Sequence, residues 1–373
     1  MNVRTVRIAI IGGGLAGLYA ARLLEQHGIH DYVVLEARPA WGGRIASIAP
    51  TTGSPLLDRF DLGPTWFWPV YQRELGRLID SLGLKCFAQH EEGDMVVEYA
   101  DARPKRVRGY GSEPPSVRLA GGMGALIDAI RTGLDSRTLI SGQSVRRLRC
   151  NGVHVELDAE DDQGHSTSYR TEHVLLAVPP RLAAATIDFS PAQPEAVTHA
   201  WRDTATWMAP HAKYIAIYDE PFWRDQGLSG EARSAKGPLG EIHDASIPGG
   251  SAALFGFFGV PAHVRRGVPE EVLRAHCRAQ FARLFGAEAS TPKADFIKDW
   301  AADPCTATPL DAEAATHHAN APIATVQEGE WRNRIVGIAS EWSTQFPGYV
   351  AGAIDAAERG VQALLPNLTE VKT

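Results

Sequence analysis

The chain has 373 residues, enough for about two domains on the usual length scale. Its 44% hydrophobic and 22% charged residues exclude disordered and fibrous classes. A net charge of −7 argues against a nucleic-acid partner but leaves substrate charge open, because a pocket can differ from the average.

The first legible element is Arg7-Ile8-Ala9-Ile10-Ile11, a short β-branched run expected of a buried parallel strand. A glycine turn comes next. Leu15, Leu18, Tyr19 and Leu23 then recur at helical spacing through Glu25, and Gly28 ends that helix. Tyr32-Val33-Val34-Leu35 reads as a second strand, completing a βαβ unit in about thirty residues. The opening apolar stretch is too short for a signal peptide, and nowhere do eighteen apolar residues run without a charge. No transmembrane span and a cytoplasmic location are therefore expected. Cys86, Cys150, Cys277 and Cys305 have no metal-like spacing and read as free thiols in a reducing compartment.

Later elements alternate between two types. Met208 to Tyr218 reads as a strand and Glu270 to Phe285 as a helix. His173 to Val178 is an apolar strand stopped by Pro179 and Pro180, and Ile335 to Ile338 is another. Val350, Ile354, Ala357, Val361 and Leu364 mark a helix that begins near Gly348 and ends before Pro366. Nucleotide-domain elements thus appear at the start, middle and end. The aromatic-rich residues 76–115 and 186–300 read as a second domain inserted into the first. The Pro- and Gly-rich stretches near Pro114-Pro115 and Pro191 to Pro194 are the expected crossings.

Gly12-Gly13-Gly14-Leu15-Ala16-Gly17 fits G-x-G-x-x-G, and its context confirms it: strand before, helix after, Glu36 at the end of the next strand. Gly12 permits the tight turn, Gly14 lets a pyrophosphate approach the backbone, and Gly17 allows close packing of helix on strand. The helix N-terminus offers unpaired N–H groups and a positive dipole to the phosphates. Glu36 can accept hydrogen bonds from ribose hydroxyls. That pattern serves NAD and FAD equally. The continuation, Glu36-Ala37-Arg38 and then Gly42-Gly43-Arg44, looks like the extension found in FAD enzymes of the glutathione-reductase-like class.

From here the chain resembles the flavin-containing amine oxidases, the group that includes monoamine and polyamine oxidases. The match is collinear over most of the chain. Asp61-Leu62-Gly63-Pro64-Thr65-Trp66 looks like a family loop beside the flavin, and Gly121-Gly122-Met123 with Leu126 like the segment re-entering the FAD domain. Val145 sits where the family's backbone meets the adenine, and Ala177 to Pro180 resembles the strand end after it. Lys213 to Trp223 resembles the monoamine oxidase stretch with the flavin-facing lysine. Glu341 through Gly348-Tyr349-Val350 resembles the C-terminal motif. There the resemblance implies that Glu341 contacts the ribityl and phosphate region, that Tyr349 presents a ring to the substrate, and that the Val350 N–H meets the flavin. Trp300 matches a family tryptophan near the flavin.

Lys213 stands out from its neighbours alone. Ile215 and Ile217 share its side of the strand, and Tyr214, Ala216 and Tyr218 the other. A lysine buried there is costly unless it is paired or its pKa falls; the bland alternative is a lysine snorkelling at a sheet edge. The resemblance implies that it holds a water near flavin N5 and assists reoxidation by oxygen. Tyr349 either packs or forms one wall of an aromatic cage for an amine. Trp66, Trp68, Trp207 and Phe257 read as core packing, with an apolar pocket as the alternative.

The sequence also departs from the family. The stretch from Trp300 through Cys305 to Pro309 lacks the glycine pair and the second cage tyrosine, and Cys305 is offset from the position where some members attach the flavin. Non-covalent FAD is therefore expected. Ala339 replaces a glycine, and Trp342 is expected to narrow the flavin pocket. The thirteen histidines show no metal spacing, and His317-His318 reads as a solvated loop pair.

The combined expectation is an α/β protein with a Rossmann-like FAD-binding domain of the glutathione-reductase-like class and an inserted α+β substrate domain. Residues 1–75, 116–185 and 301–373 would form the first, and 76–115 and 186–300 the second. Its reaction would be oxidation of the C–N bond of an apolar amine to an imine, with O2 as acceptor and H2O2 released. A related C–C desaturase and a catalytically degenerate flavin-binding protein are the rivals.

Overall fold

The computed structural model describes residues 3–312 and 320–369. A five-stranded parallel sheet runs in the order Leu139–Ser141, Tyr32–Glu36, Ile8–Ile11, His173–Leu176, Ile335–Gly337. Its central strands are buried on both faces, which is why they read as unbroken apolar runs. Helix Leu15–Gln26 covers one face together with Val350–Thr369, and Tyr19 Oη donates to Glu358 Oε1 across them at 2.7 Å. The other face packs on a second five-stranded sheet that contains Ser144–Cys150 and Asp188–Ser190. Parallel strands place all their carboxyl ends on one edge, and the crevice beyond that edge is where such sheets bind ligands.

A seven-stranded sheet takes its strands from residues 94–108 and 212–299. Ala212–Tyr218 lies inside it, antiparallel to Ala294–Asp299 on one side and Ala252–Phe258 on the other. Alternation along this strand feeds two cores. Tyr214, Ala216 and Tyr218 meet Phe281 and Phe285 of helix Glu270–Phe285. Ile215 and Ile217 meet Phe60 and Phe255 on the opposite face, where Lys213 also lies.

Two expectations about elements need correction. The strand before Lys213 starts at Ala212, not Met208. Met208 has a φ of 64°, a left-handed turn conformation incompatible with a strand. The C-terminal helix does not stop before Pro366 but runs to Thr369. Tertiary anchoring outweighs the proline there: Leu368 is buried and its carbonyl accepts Arg7 Nη2 at 2.5 Å. His317-His318 lies outside the described residues.

Candidate active site

A cavity of about 820 Å³ starts at the carboxyl edge of the parallel sheet and extends to the face of the seven-stranded sheet that carries Lys213. Gly12, Gly14, Leu15, Ala16, Glu36, Ala37, Arg38, Gly43 and Arg44 line its first part. Gly63, Pro64, Thr65, Val145, Trp300, Lys213, Tyr349 and Val350 line the rest. Of the residues expected from sequence, Gly17 and Glu341 do not face the cavity. Gly17 serves packing instead, since an added Cβ would lie 2.0 Å from Gly12 O.

At the sheet edge the local chemistry fits a dinucleotide. Gly12 has φ 109°, and a Cβ on it would lie 2.8 Å from Ala177 O. Gly14 differs: a Cβ there would meet no protein atom closer than 3.8 Å, so the protein itself does not demand glycine. Space reserved above the backbone suits a phosphate, and no side chain caps the helix that begins at Leu15. The Glu36 carboxylate is buried and fixed by backbone donors, Gly13 N at 2.7 Å and Arg38 N at 2.8 Å. Each oxygen keeps acceptor capacity for a ribose hydroxyl. Gln143 also lines the cavity, and its buried Oε1 has no protein partner, an acceptor that a bound donor would satisfy.

Further along, Arg44 holds Glu341 through a fork, Nη1 to Oε1 at 2.6 Å and Nη2 to Oε2 at 2.9 Å, and reaches Ser340 Oγ at 3.1 Å. Glu341 is therefore placed behind the guanidinium, fixing its plane from the protein side. Trp342 does not narrow this pocket. It turns into the opposite core, packing edge-on against Trp201 at 5.5 Å, and it fits because position 337 is glycine: a Cβ there would lie 2.2 Å from the Trp342 ring. Arg38 is anchored by the segment after Trp300, donating to Asp303 Oδ1 at 2.6 Å and Thr306 Oγ1 at 2.9 Å. Cys305 lies in this segment at the cavity wall, and burial pushes its thiol up.

Lys213 does not snorkel. It is 2% exposed on an interior strand. Its Nζ donates to Asp61 O at 2.8 Å, Gly63 O at 3.1 Å and Thr65 Oγ1 at 2.5 Å, and lies 4.1 Å from the Phe255 ring centre. All three ammonium protons thus have acceptors. Burial lowers its pKa to about 7; the Asp61 charge opposes that fall and Arg118 assists it. Burial likewise pushes the Asp61 carboxyl up, against hydrogen bonds from Ser47 Oγ at 2.6 Å and Met123 N at 2.8 Å. Arg118 is itself buried, held by Ala245 O and Ser246 O over the Phe87 ring. Sequence reasoning missed its part in this group, although a lone arginine in Val117-Arg118-Leu119 carried the same signal that singled out Lys213.

The outer walls are aromatic. Trp66, Trp68, Trp207, Phe257 and Phe258 line the cavity with Tyr349, so the pocket alternative holds for the four rings that read as core packing in the sequence. Trp66 is fixed by Nε1 to Gln89 Oε1 at 2.8 Å and stands edge-on to His243 at 4.9 Å. Trp300 Nε1 donates to Leu62 O at 3.1 Å. Glu241 and Arg233 form an ion pair at the cavity wall, with His243 Nε2 2.7 Å from Glu241 Oε1. Burial works against the Glu241 charge, but these partners hold its carboxyl below the usual range. No spacing in the sequence marks that pair, since it forms only when two strands align. Among the described residues no cluster of His, Cys, Asp or Glu could hold a metal, and no helix is long and apolar enough to cross a membrane.

Known proteins resemble the chain in sequence and in fold. A family profile described as flavin containing amine oxidoreductase matches residues 92–365, and one for an NAD(P)-binding Rossmann-like domain matches residues 10–82. A Dictyostelium discoideum protein named "Probable flavin-containing monoamine oxidase A" is 27% identical, with 94% of this chain and 96% of that protein covered. Amine oxidase [flavin-containing] B of Sus scrofa is 24% identical over 96% of this chain and 86% of its own. Among solved structures, putrescine oxidase bound to putrescine superposes with a TM-score of 0.80 at 19% identity, covering 98% of this chain and 100% of that one.

Proposed function

The chain belongs to the family of flavin-containing amine oxidoreductases, FAD-dependent enzymes, and we propose that it oxidises the C–N bond of a small apolar amine with O2 as acceptor. Bound non-covalently, FAD would supply the two-electron chemistry that turns the amine into an imine and oxygen into H2O2. The chain's own residues divide the remaining work. The Gly12–Gly17 turn and the N-terminus of the helix that begins at Leu15 would hold the pyrophosphate, and Glu36 would take the ribose. Arg44, locked by Glu341, faces the phosphate and ribityl region. Val145 would lie by the adenine, and the Val350 N–H would meet the flavin. We read residues 1–75, 116–185 and 301–373 as the cofactor domain, of the glutathione-reductase-like class, and 76–115 and 186–300 as the substrate domain.

One observation carries the reading: a buried lysine and a partly exposed tyrosine, Lys213 and Tyr349, line the same cavity as the glycine cradle. With its pKa near neutrality, Lys213 can hold or release a proton beside the reacting atoms. Because Asp61 O, Gly63 O and Thr65 Oγ1 already take its three N–H donors, the water-holding role that the resemblance implies would require one of them to be released. Tyr349 offers a ring face to the amine. Trp66, Phe257 and Phe258 exclude water and favour an apolar body. Cys305 stands with Arg38 and Asp303 at the ribose end, which supports a cofactor without a thioether link.

The test is the visible spectrum of the FAD-loaded protein, taken before and after anaerobic addition of benzylamine, phenethylamine and short alkylamines. Bleaching of the flavin band, with H2O2 appearing when air is admitted, is expected. A band that no amine bleaches, but that a C–C donor does, would replace this reading with desaturation.

A further inference from the structure

Residues 301–330 contain no Phe, Tyr or Trp, so the stretch after Trp300 contributes no large aromatic ring opposite Tyr349. Its described part, together with the strand end before it, instead grips the loop that leads into the Lys213 strand. Trp300 N donates to His211 O at 3.0 Å. Asp299 holds Arg265 through both carboxylate oxygens, at 2.8 and 2.9 Å, and Arg265 Nη2 donates to Pro210 O at 2.8 Å. Asp311, itself ion-paired to Arg181 at 2.6 Å, accepts Thr206 N at 3.1 Å. The loop is thus pinned on both sides of Trp207 and Met208.

Between those pins the backbone is forced. Met208 adopts φ 64°, in the left-handed region that non-glycine residues rarely occupy. Ala209 N and His211 N close the turn on Thr206 O and Met208 O, each at 3.1 Å. An off-pattern backbone held by long-range contacts at a cavity wall points to a function for what it presents. What it presents to the cavity is Trp207, Met208 and His211, immediately before Ala212 and Lys213.

We propose that Trp207 is the second ring of the amine site, the partner wall to Tyr349, supplied by the 204–211 loop instead of the segment after Trp300. This rests on the amine-oxidising reading above and deepens it. Both rings line the one cavity, and Lys213 lies six residues beyond Trp207 on the chain. An indole is a larger and stronger cation-binding face than a phenol. The site therefore suits a primary amine whose amino carbon passes between two rings and whose flat apolar body continues towards Phe257 and Phe258. The loop staples make Trp207 a specificity-determining residue held on a rigid mount, not a mobile flap.

The experiment uses five FAD-loaded proteins: wild type, Trp207→Phe, Trp207→Leu, Tyr349→Leu, and the Trp207→Leu, Tyr349→Leu double variant. Two readouts are taken: the limiting rate of anaerobic flavin bleaching by benzylamine, and calorimetric binding of benzamidine, a cation that cannot be oxidised. Losing one ring face should weaken benzamidine and slow bleaching by about tenfold in Trp207→Leu, while Trp207→Phe stays within about threefold of wild type. The Trp207 and Tyr349 losses should be non-additive, because each ring is one wall of a shared cage. FAD affinity should not change in any variant. Trp207→Leu with wild-type bleaching and wild-type benzamidine binding overturns the inference, as does strict additivity with Tyr349→Leu. Wild-type flavin that no amine bleaches overturns the underlying reading, and this inference with it.

Discussion

Replacing Lys213 by methionine should change how stability depends on pH, and the size follows from its surroundings. Burial takes the lysine from an ordinary 10.5 to about 7. That gap corresponds to about 5 kcal/mol of penalty on the charged form. The sign follows from proton binding: between pH 7 and 10.5 the unfolded chain carries the proton and the folded chain does not. The penalty is therefore complete below the folded pKa and fades as pH rises towards the unfolded one. From pH 7 to 9 the wild type should gain about 2 kcal/mol from this group alone. Asp61, whose carboxyl burial pushes up, contributes a slope of the opposite sign that begins on the acid side. Its neutral folded form binds a proton that the unfolded chain has released, so its own stability contribution is lost as pH rises from the ordinary carboxylate value through its folded pKa. Lys213→Met removes the lysine titration but leaves Asp61 O, Gly63 O and Thr65 Oγ1 without their donor, so its absolute stability falls. The comparison therefore uses slopes. Urea unfolding of both proteins at one FAD concentration, at pH 7, 8 and 9, should show a midpoint that climbs more steeply in the wild type. Parallel slopes would refute a near-neutral Lys213 and with it the idea that this group exchanges a proton at working pH.

Other consequences can be read from single contacts. Arg44→Lys keeps the charge but loses the fork on Glu341, so FAD titration of the flavin-free protein should show about tenfold weaker binding. Gly17→Ala places a Cβ 2.0 Å from Gly12 O, which backbone cannot relieve cheaply. It should cost about 3 kcal/mol, seen as a lower melting temperature and loss of flavin on purification. Acid precipitation of wild type and Cys305→Ser should leave the flavin in the supernatant in both cases; yellow wild-type pellets would refute a non-covalent cofactor. Arg118→Met removes the cation that helps depress Lys213, so the pH at which the bleaching rate rises should move up by a fraction of a unit or more, and an unmoved profile would sever that link.

The parts of the fold that were legible in the sequence are those that local periodicity encodes. The strands Ile8–Ile11, Tyr32–Glu36 and His173–Leu176 are buried on both faces, so each is an apolar run, and the glycine turn between the first two sits in the one context that gives it a nucleotide-binding use. Lys213 announced itself because alternation placed a charge on a face with Ile215 and Ile217. Positions whose meaning depends on distant chain were not legible. Trp342 looked like an obstruction until Gly337 opened a place for its ring in the other core. Met208 continued an apolar run and read as strand, because nothing local reveals that Asp311, Arg265 and the Trp300 amide hold its neighbours in a turn.

The same contrast bears on the stretch after Trp300. Compared with the family pattern by position alone, it shows loss: no glycine pair, no tyrosine, a displaced cysteine. Its contacts show a different assignment of the same chain length. Asp299, the Trp300 amide and Asp311 tie down the 204–211 loop, and Asp303 with Thr306 ties down Arg38 beside Glu36. A degenerating segment would have no reason to keep buried carboxylates paired at both ends of the cofactor cavity, since each unpaired one costs several kcal/mol. Asp311 is 2% exposed and fully engaged with Arg181, Thr206 and Thr308. Retained pairing of that kind argues for a site rebuilt from other residues, and against a flavin-binding protein that has lost its chemistry.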